Sequence, residues 1–397
     1  MARQLTGAGR ILMVVCGLAV SGYAAHRYGL FARLAQRSSA PAATQAARVR
    51  LTVLYGTEKE RWLKSAVEAF SLKHPDIGVD LKGLGTIDAV RAIGEGREKP
   101  VAWSPADEIA LNLLDDEWTT SHGSPLVERA DELAPSPLVV TPLVMITWED
   151  RARALSAAGQ ADPSDWHVVH ALATDPRGWL GLKAPAEWGF VKPGHTAPNA
   201  SNSGLQTLIL MAYGFHKKRA GLQPADVLDA GFQKWMREIE VTVGKFGASS
   251  GTYMREMVLY GPSKYDIVWN YESVAISDMT AAQGRWGNLV VYYPKPTLWS
   301  NHPFAVLKGD WVTDEQRVAA RTLRDFLLTP EVQLRALEFG FRPANPDVKI
   351  VTTDPQNPWN RLKPYGVRLD VPAVAEVPSG EVTRLLLETW RRVVSRP

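Results

Sequence analysis

His195 to Phe215 reads HTAPNASNSGLQTLILMAYGF, a polar loop that runs straight into a helix. Leu205, Leu208, Ile209 and Ala212 fall at i, i+3, i+4 and i+7, so one face is apolar. Pro198 discourages helix in the residue before it. Ser201, Asn202 and Ser203 precede the apolar face and are N-cap residues by type. A helix start leaves backbone N–H groups free and carries the positive end of the dipole, so it can hold an anion or a polar oxygen. Two readings are open here. Either Ser201 or Asn202 caps its own helix, or the loop and helix start form part of a ligand site.

A second segment favours the ligand reading. Val49 to Phe70, VRLTVLYGTEKERWLKSAVEAF, reads as strand, tight turn and helix. Thr57 and Glu60 have the spacing of a capping box, and Leu63, Ala66, Val67 and Phe70 give a buried stripe. HPDIGVDL, from His74, is a turn into a second strand, and Pro100 to Asp107, PVAWSPAD, is a short strand that breaks at Ser104-Pro105. Further along come TYMREMVLYGPSKYDIVWNYESVAI (Thr252 to Ile276) and LLTPEVQLRALEFGFRPANP (Leu327 to Pro346). These pieces, in this order, resemble the type II extracytoplasmic solute-binding proteins of bacterial ABC transporters, in particular the broad group that includes molybdate- and sulfate-type binders. The resemblance spans roughly Val49 to Pro346 and rests on the ordered series, not on any one motif. It implies a two-lobed periplasmic binding protein fold whose hinge closes on a ligand held between the lobes, with an ABC permease as partner and no catalysis.

Strands and helices alternate from Val49 onward, which argues an α/β architecture with mainly parallel sheets. Leu138 to Trp148, LVVTPLVMITW, is long enough to pass between two lobes, and Leu289 to Leu307 reads as the return. The expected division is 1–25 as signal peptide or membrane anchor, 26–48 as linker, 49–140 plus 303–397 as the first lobe, 141–296 as the second, and 297–302 as hinge crossing.

At 397 residues the chain has room for about two domains and a substantial core. A net charge of +3 is too weak to argue for nucleic acid, and Arg391-Arg392 reads as a solvated helix face. Arg3 and Arg10 precede the apolar run Ile11 to Val20, no acidic residue occurs before Glu58, and Gly22 and Ala24 are small residues spaced for cleavage. The run is short for a spanning helix, so a cleaved signal and a retained anchor both stand. Either places the body outside the cytoplasm, in the periplasm or on the outer face of the inner membrane. Cys16, the only cysteine, follows Val15, which is not the small residue a lipidation site needs, and a body without cysteine has no disulfide.

The sequence has no G-x-S-x-G, Walker or H-E-x-x-H pattern, and Gly83-Leu84-Gly85 lacks the third glycine of a dinucleotide fingerprint. His167 and His170 share a helical face but have no cysteine near them, so no metal and no cofactor is expected. Of the 14 tryptophans, Trp103, Trp269 and Trp299 lie near the expected cleft, though core packing is the simpler reading.

In open α/β sheets, strand ends and helix starts converge on one crevice. The expected ligand-binding residues are Gly56, Thr57, Thr86 and Ser104 from the first lobe. His195, Thr196, Ser201, Asn202, Ser203, Tyr253, Asn270 and Glu272 come from the second. Gly85-Thr86 stands where related oxyanion binders carry a serine-bearing loop, and Glu272 disfavours a bare dianion. The expected ligand is therefore a small polar or anionic solute. Two other readings remain: an anchored ligand sensor or surface protein of the same fold, and a hydrolase with His195 as base, for which no orienting third group is evident.

Overall fold

The structure is a computed structural model that describes residues 47–371 and 373–394. The expected signal or anchor segment and nearly all of the linker lie outside the described residues. Eleven strands run in chain order: β1 Val49–Tyr55, β2 Ile77–Gly83, β3 Ala102–Ser104, β4 Ser136–Pro137, β5 Val139–Trp148, β6 Pro193–Gly194, β7 Ile267–Tyr271, β8 Leu289–Tyr292, β9 Trp299–Ser300, β10 Pro303–Val306 and β11 Arg342–Pro343.

They form two sheets. The first has the order β2-β1-β3-β10-β4. The second has β11-β5-β7-β6, with β8 and β9 also paired to β5. The two-lobed α/β reading holds, but the strand directions are mixed. β1 runs parallel to β2 and β3, and β6 runs parallel to β7. β5 is antiparallel to β7, β8, β9 and β11, and β10 is antiparallel to β3 and β4. The strand that enters the second lobe becomes the spine of its sheet, and the returning strand inserts into the first sheet against the chain direction.

The pattern of apolar residues explains the layers. β1 buries Leu51, Val53, Leu54 and Tyr55, and the Glu60–Lys73 helix lays Trp62, Leu63, Ala66, Val67 and Phe70 against the same core. β5 is buried over nearly its whole length, as a strand covered on both faces must be. The Asn202–His216 helix is buried from Asn202 to Tyr213, well beyond one amphipathic face, because other elements surround it.

The crossings differ from the expected ones in two respects. Thr297 is bonded to Leu143 O and to the Ala373 and Ala375 backbone, and Trp299–Ser300 pairs with β5, so 297–300 belongs to the second lobe and the crossing begins at Asn301. The chain also crosses a third time, after Phe341. Arg342–Pro343 pairs with Val139–Val140, so the tail does not belong to the first lobe. Trp359, Leu362, Val367, Leu386 and Trp390 join the core that includes the Asn202–His216 helix, because their apolar faces find cover there. His302 sits in the second crossing with φ +39, a left-handed conformation rare for a non-glycine residue. Its N–H donates to Ala106 O at 3.2 Å and its carbonyl accepts from Leu138 N at 3.1 Å.

Candidate functional site

The loops after β1, β2 and β3 face the starts of the Asn202–His216 and Ser250–Tyr260 helices across the space between the sheets. The facing backbones touch. Ile87 N and Asp88 N both donate to Ala200 O at 3.1 Å, so a carbonyl of one lobe caps a helix of the other. A Cβ on Gly85 would stand 2.6 Å from that carbonyl oxygen and 2.9 Å from Ala248 O, which explains a glycine there. Gly251 N donates to Thr57 Oγ1 at 3.3 Å, and Gly251 itself lies against the Thr57 carbonyl. Ion pairs Arg61–Asp278 and Arg255–Glu60 close the rim. The expected Thr57–Glu60 capping box does not form, because Thr57 serves Gly251 and Glu60 pairs with Lys64 and Arg255.

The expected residues separate into groups. Thr196 Oγ1, Ser203 Oγ, Ser250 Oγ and Ser201 Oγ form a buried hydroxyl chain with links of 2.8, 2.9 and 3.1 Å. Ser201 is the N-cap of the Asn202–His216 helix, but its hydroxyl makes no capping bond. Thr86 Oγ1 accepts from Ala106 N at 3.1 Å, and Gly56 N donates to Ser104 O at 3.0 Å. Gly56 admits no side chain because the Glu58 carboxylate lies over it.

Four expected residues have their polar atoms engaged by other partners. His195 is buried, with Nε2 3.1 Å from Glu240 and Nδ1 2.8 Å from Thr196 O. Burial works against its charged form, but Glu240 overrides this and raises its pKa. Both of its ring nitrogens are engaged. Tyr253 packs beneath Gly247 and Gly194, and its hydroxyl donates to Lys245 O at 3.3 Å. Asn270 spends its amide on Ser250 O and Tyr271 N, both at 2.9 Å. Glu272 is held by Arg342 at 2.8 and 2.9 Å and by the Tyr293 hydroxyl, so it ties β7 to the third crossing.

The polar centre of the cleft is built largely by residues the sequence reading missed. Gln206, fully buried, donates through Nε2 to Asp107 Oδ2 at 2.9 Å, Ser300 Oγ at 2.9 Å and Trp299 O at 3.2 Å. Asn202, one turn earlier on the same face, donates to Tyr271 Oη at 3.0 Å. Lys59 Nζ donates to Glu58 Oε1 at 2.7 Å and to Pro105 O at 3.1 Å, and it lies 3.1 Å from His302 Nδ1. The His302 ring stands edge-on to Tyr271 at 5.8 Å. Among these buried groups, Ser104 Oγ, Asn202 Oδ1, Gln206 Oε1 and His302 Nε2 have no hydrogen-bond partner among the described residues. The i, i+4 spacing of Asn202 and Gln206 was the available signal. It passed as part of a helix face because the apolar stripe lies beside it.

The electrostatics follow from burial. Burial raises the Asp107 carboxyl to about 7, against the bonds it accepts from Ile109 N and Gln206. Burial would also raise Glu58, but Lys59 and His302 pull it down to about 2. Burial and the nearby Lys59 lower His302 to about 4, so the ring is neutral at neutral pH. A groove of about 1000 Å³ lies elsewhere, between the Thr86–Gly94, Glu108–His122 and Gly380–Val394 helices. Its Arg91 and Arg384 are paired with Asp88 and Asp116, and no unpartnered buried polar atom lines it. Among the described residues, no group of three His, Cys, Asp or Glu side chains is placed to hold a metal ion.

Known proteins agree with this architecture. A family model described as bacterial extracellular solute-binding protein matches residues 51–342. An uncharacterized protein of Mycobacterium tuberculosis is 22% identical over 267 residues, which is 66% of this chain and 36% of that protein. The chain thus spans about a third of the length of the curated relatives it matches. Among solved structures, the periplasmic binding protein AfuA of Actinobacillus pleuropneumoniae, with fructose-6-phosphate bound, superimposes with a TM-score of 0.57 at 12% identity, covering 87% of this chain and 99% of that one. Maltose-bound MalE3 of T. maritima gives 0.56 at 14%, covering 87% and 94%. The sulfate-binding protein SubI of Mycobacterium tuberculosis gives 0.52 at 17%, covering 81% and 92%. At these identities the likeness is one of fold. The family match covers most of the chain, and on it this protein belongs to the bacterial extracellular solute-binding protein family.

Proposed function

We propose that this chain captures a small polar solute between its two lobes, outside the cytoplasm, and delivers it to an ABC permease. The observation that carries the reading is the cluster at the lobe boundary. Gln206 of one lobe bonds Asp107 of the other, and four buried polar atoms around that bond have no partner. Buried polar atoms are ordinarily bonded, and an unpaired one costs about 1–3 kcal/mol. A solute that supplies the missing bonds is therefore held most tightly when the lobes are closed around it, which is the thermodynamic basis of closure on ligand. The residues proposed to line the site are Ser104, Asn202, Gln206, Asp107 and His302, with Thr57, Thr86, Ser201 and Ser203 supporting them. No cofactor takes part.

Export is part of the proposal and rests on the N-terminal sequence pattern; no helix among the described residues is long and apolar enough to cross a membrane. A second reading, an anchored sensor with the same binding lobes, rests on the apolar segment Ile11 to Ala25 being retained as an anchor. The test is native mass spectrometry of gently purified protein. The expected result is one small molecule of constant mass that is lost on unfolding. A protein that carries nothing, and whose melting no small solute shifts, overturns the reading.

A further inference from the structure

Resting on the solute-binding reading, we infer that the cleft takes a neutral, hydroxyl-bearing molecule of the polyol or saccharide class, and not an inorganic oxyanion. Gln206 decides the sign. Its nitrogen faces a carboxylate oxygen, a backbone carbonyl and a hydroxyl, so the amide cannot be turned around, and the unpartnered atom is the acceptor Oε1. An oxyanion carries acceptors only. It would set its lone pairs against Gln206 Oε1 and lie beside the Asp107 carboxyl.

His302 adds a further unpartnered atom. Its Nδ1 lies 3.1 Å from the Lys59 ammonium and 3.3 Å from Glu58 Oε1, so Nε2 is a donor in one tautomer and an acceptor in the other. Ser104 Oγ can do either. A site with free acceptors and free donors suits a group that both donates and accepts, and a hydroxyl is that group.

The charges agree. The Lys59 ammonium is matched by Glu58 at 2.7 Å, and both are buried. Among the described residues no cation pairs with Asp107, so these groups together are neutral or negative before any solute arrives. The nearby arginines, Arg61 and Arg255, are paired with Asp278 and Glu60 at the rim. Of the backbone N–H groups at the boundary, Ile87 N and Asp88 N are bonded to Ala200 O, and Gly251 N to Thr57 Oγ1, while the start of the Asn202–His216 helix has no side-chain cap. The Thr196, Ser201, Ser203 and Ser250 hydroxyls are bonded to one another.

The test uses the full chain freed of small molecules by dialysis. One set of probes is glucose, maltose, trehalose, myo-inositol and glycerol; the other is sulfate, phosphate and molybdate. Thermal shift screens both sets and calorimetry measures any hit. The expected result is binding from the neutral set alone. Gln206→Leu should weaken that binding about tenfold, the loss of one to two hydrogen bonds. Should Gln206→Leu not fold, Ser104→Ala removes a second contact and should weaken binding several-fold. An oxyanion that binds, and loses affinity with Ser104→Ala, overturns the inference while the solute-binding reading stands. Binding by neither set overturns it too, and the broader reading then survives only if native mass spectrometry finds a molecule carried through purification.

Discussion

Asp107 does two things with one carboxyl. Oδ1 caps the Glu108–His122 helix by accepting from Ile109 N at 3.0 Å, and Oδ2 accepts from Gln206 across the lobe boundary. Burial raises its pKa from 3.8 to about 7, so the folded state keeps its proton where the unfolded chain has lost it. The sign follows by linkage. The stabilisation is fully present below about pH 4 and is lost as pH rises towards 7, at a ceiling of about 1.4 kcal/mol per pH unit from this group. Asp107→Asn keeps a capping oxygen and cannot ionise. Its urea stability should fall less between pH 5 and 8 than that of the unchanged protein. Parallel pH profiles for the two would mean that the carboxyl does not titrate in that range. Glu58 behaves in the opposite way, since its lowered pKa places its contribution above about pH 4.5 and removes it as pH falls towards 2.

At the scale of elements, the helix Gly380–Val394 shows how a sequence boundary can mislead. Its buried residues Val382, Leu386 and Trp390 recur every four positions and form one stripe, which any amphipathic helix would show. The stripe says that the helix packs but not on what. The structure sets it against the Asn202–His216, Pro224–Leu228 and Ala230–Glu240 helices, where Arg237 also donates to Val393 O at 2.9 Å. Leu386→Ala should therefore cost about 2–5 kcal/mol in chemical denaturation, the usual range for a fully buried leucine. A cost near zero would show that the helix is peripheral. The strand readings fared better. Val49–Tyr55 and Ile77–Gly83 are strands where their β-branched and apolar runs placed them.

Across the whole molecule, some contacts between lobes run through backbone atoms, and these make closure sensitive to single atoms. Gly85 has φ −59, which any residue adopts, so Gly85→Ala does not strain its own loop. Its added carbon would stand 2.6 Å from Ala200 O, an atom that no rotamer change can move. The variant should keep the circular dichroism of the parent, show a larger radius of gyration by small-angle scattering, and bind its solute more weakly. An unchanged radius would show that the lobes absorb the methyl group without parting.

The sequence by itself determined most local elements, the two-lobed α/β class and the family resemblance. Each of these depends on periodicity and order along the chain, and hydrophobic burial acts on them wherever the chain ends up. It also identified the helix start at Ser201–Ser203 from the polar loop ahead of the apolar stripe, although the Ser201 hydroxyl makes no capping bond. Only the tertiary structure decided strand direction, the third crossing at Arg342, and which polar residues meet. Glu58 and His302 are 244 residues apart in the chain, as are neither member's helix or strand signals linked, yet both lie on Lys59. Gln206 reaches Asp107 over a separation of 99 residues. His195, Tyr253, Asn270 and Glu272 had the right residue types beside the right elements, and each was claimed by a nearer partner. A side chain's direction depends on what packs behind it, and that is set by contacts distant in sequence, which no local pattern encodes.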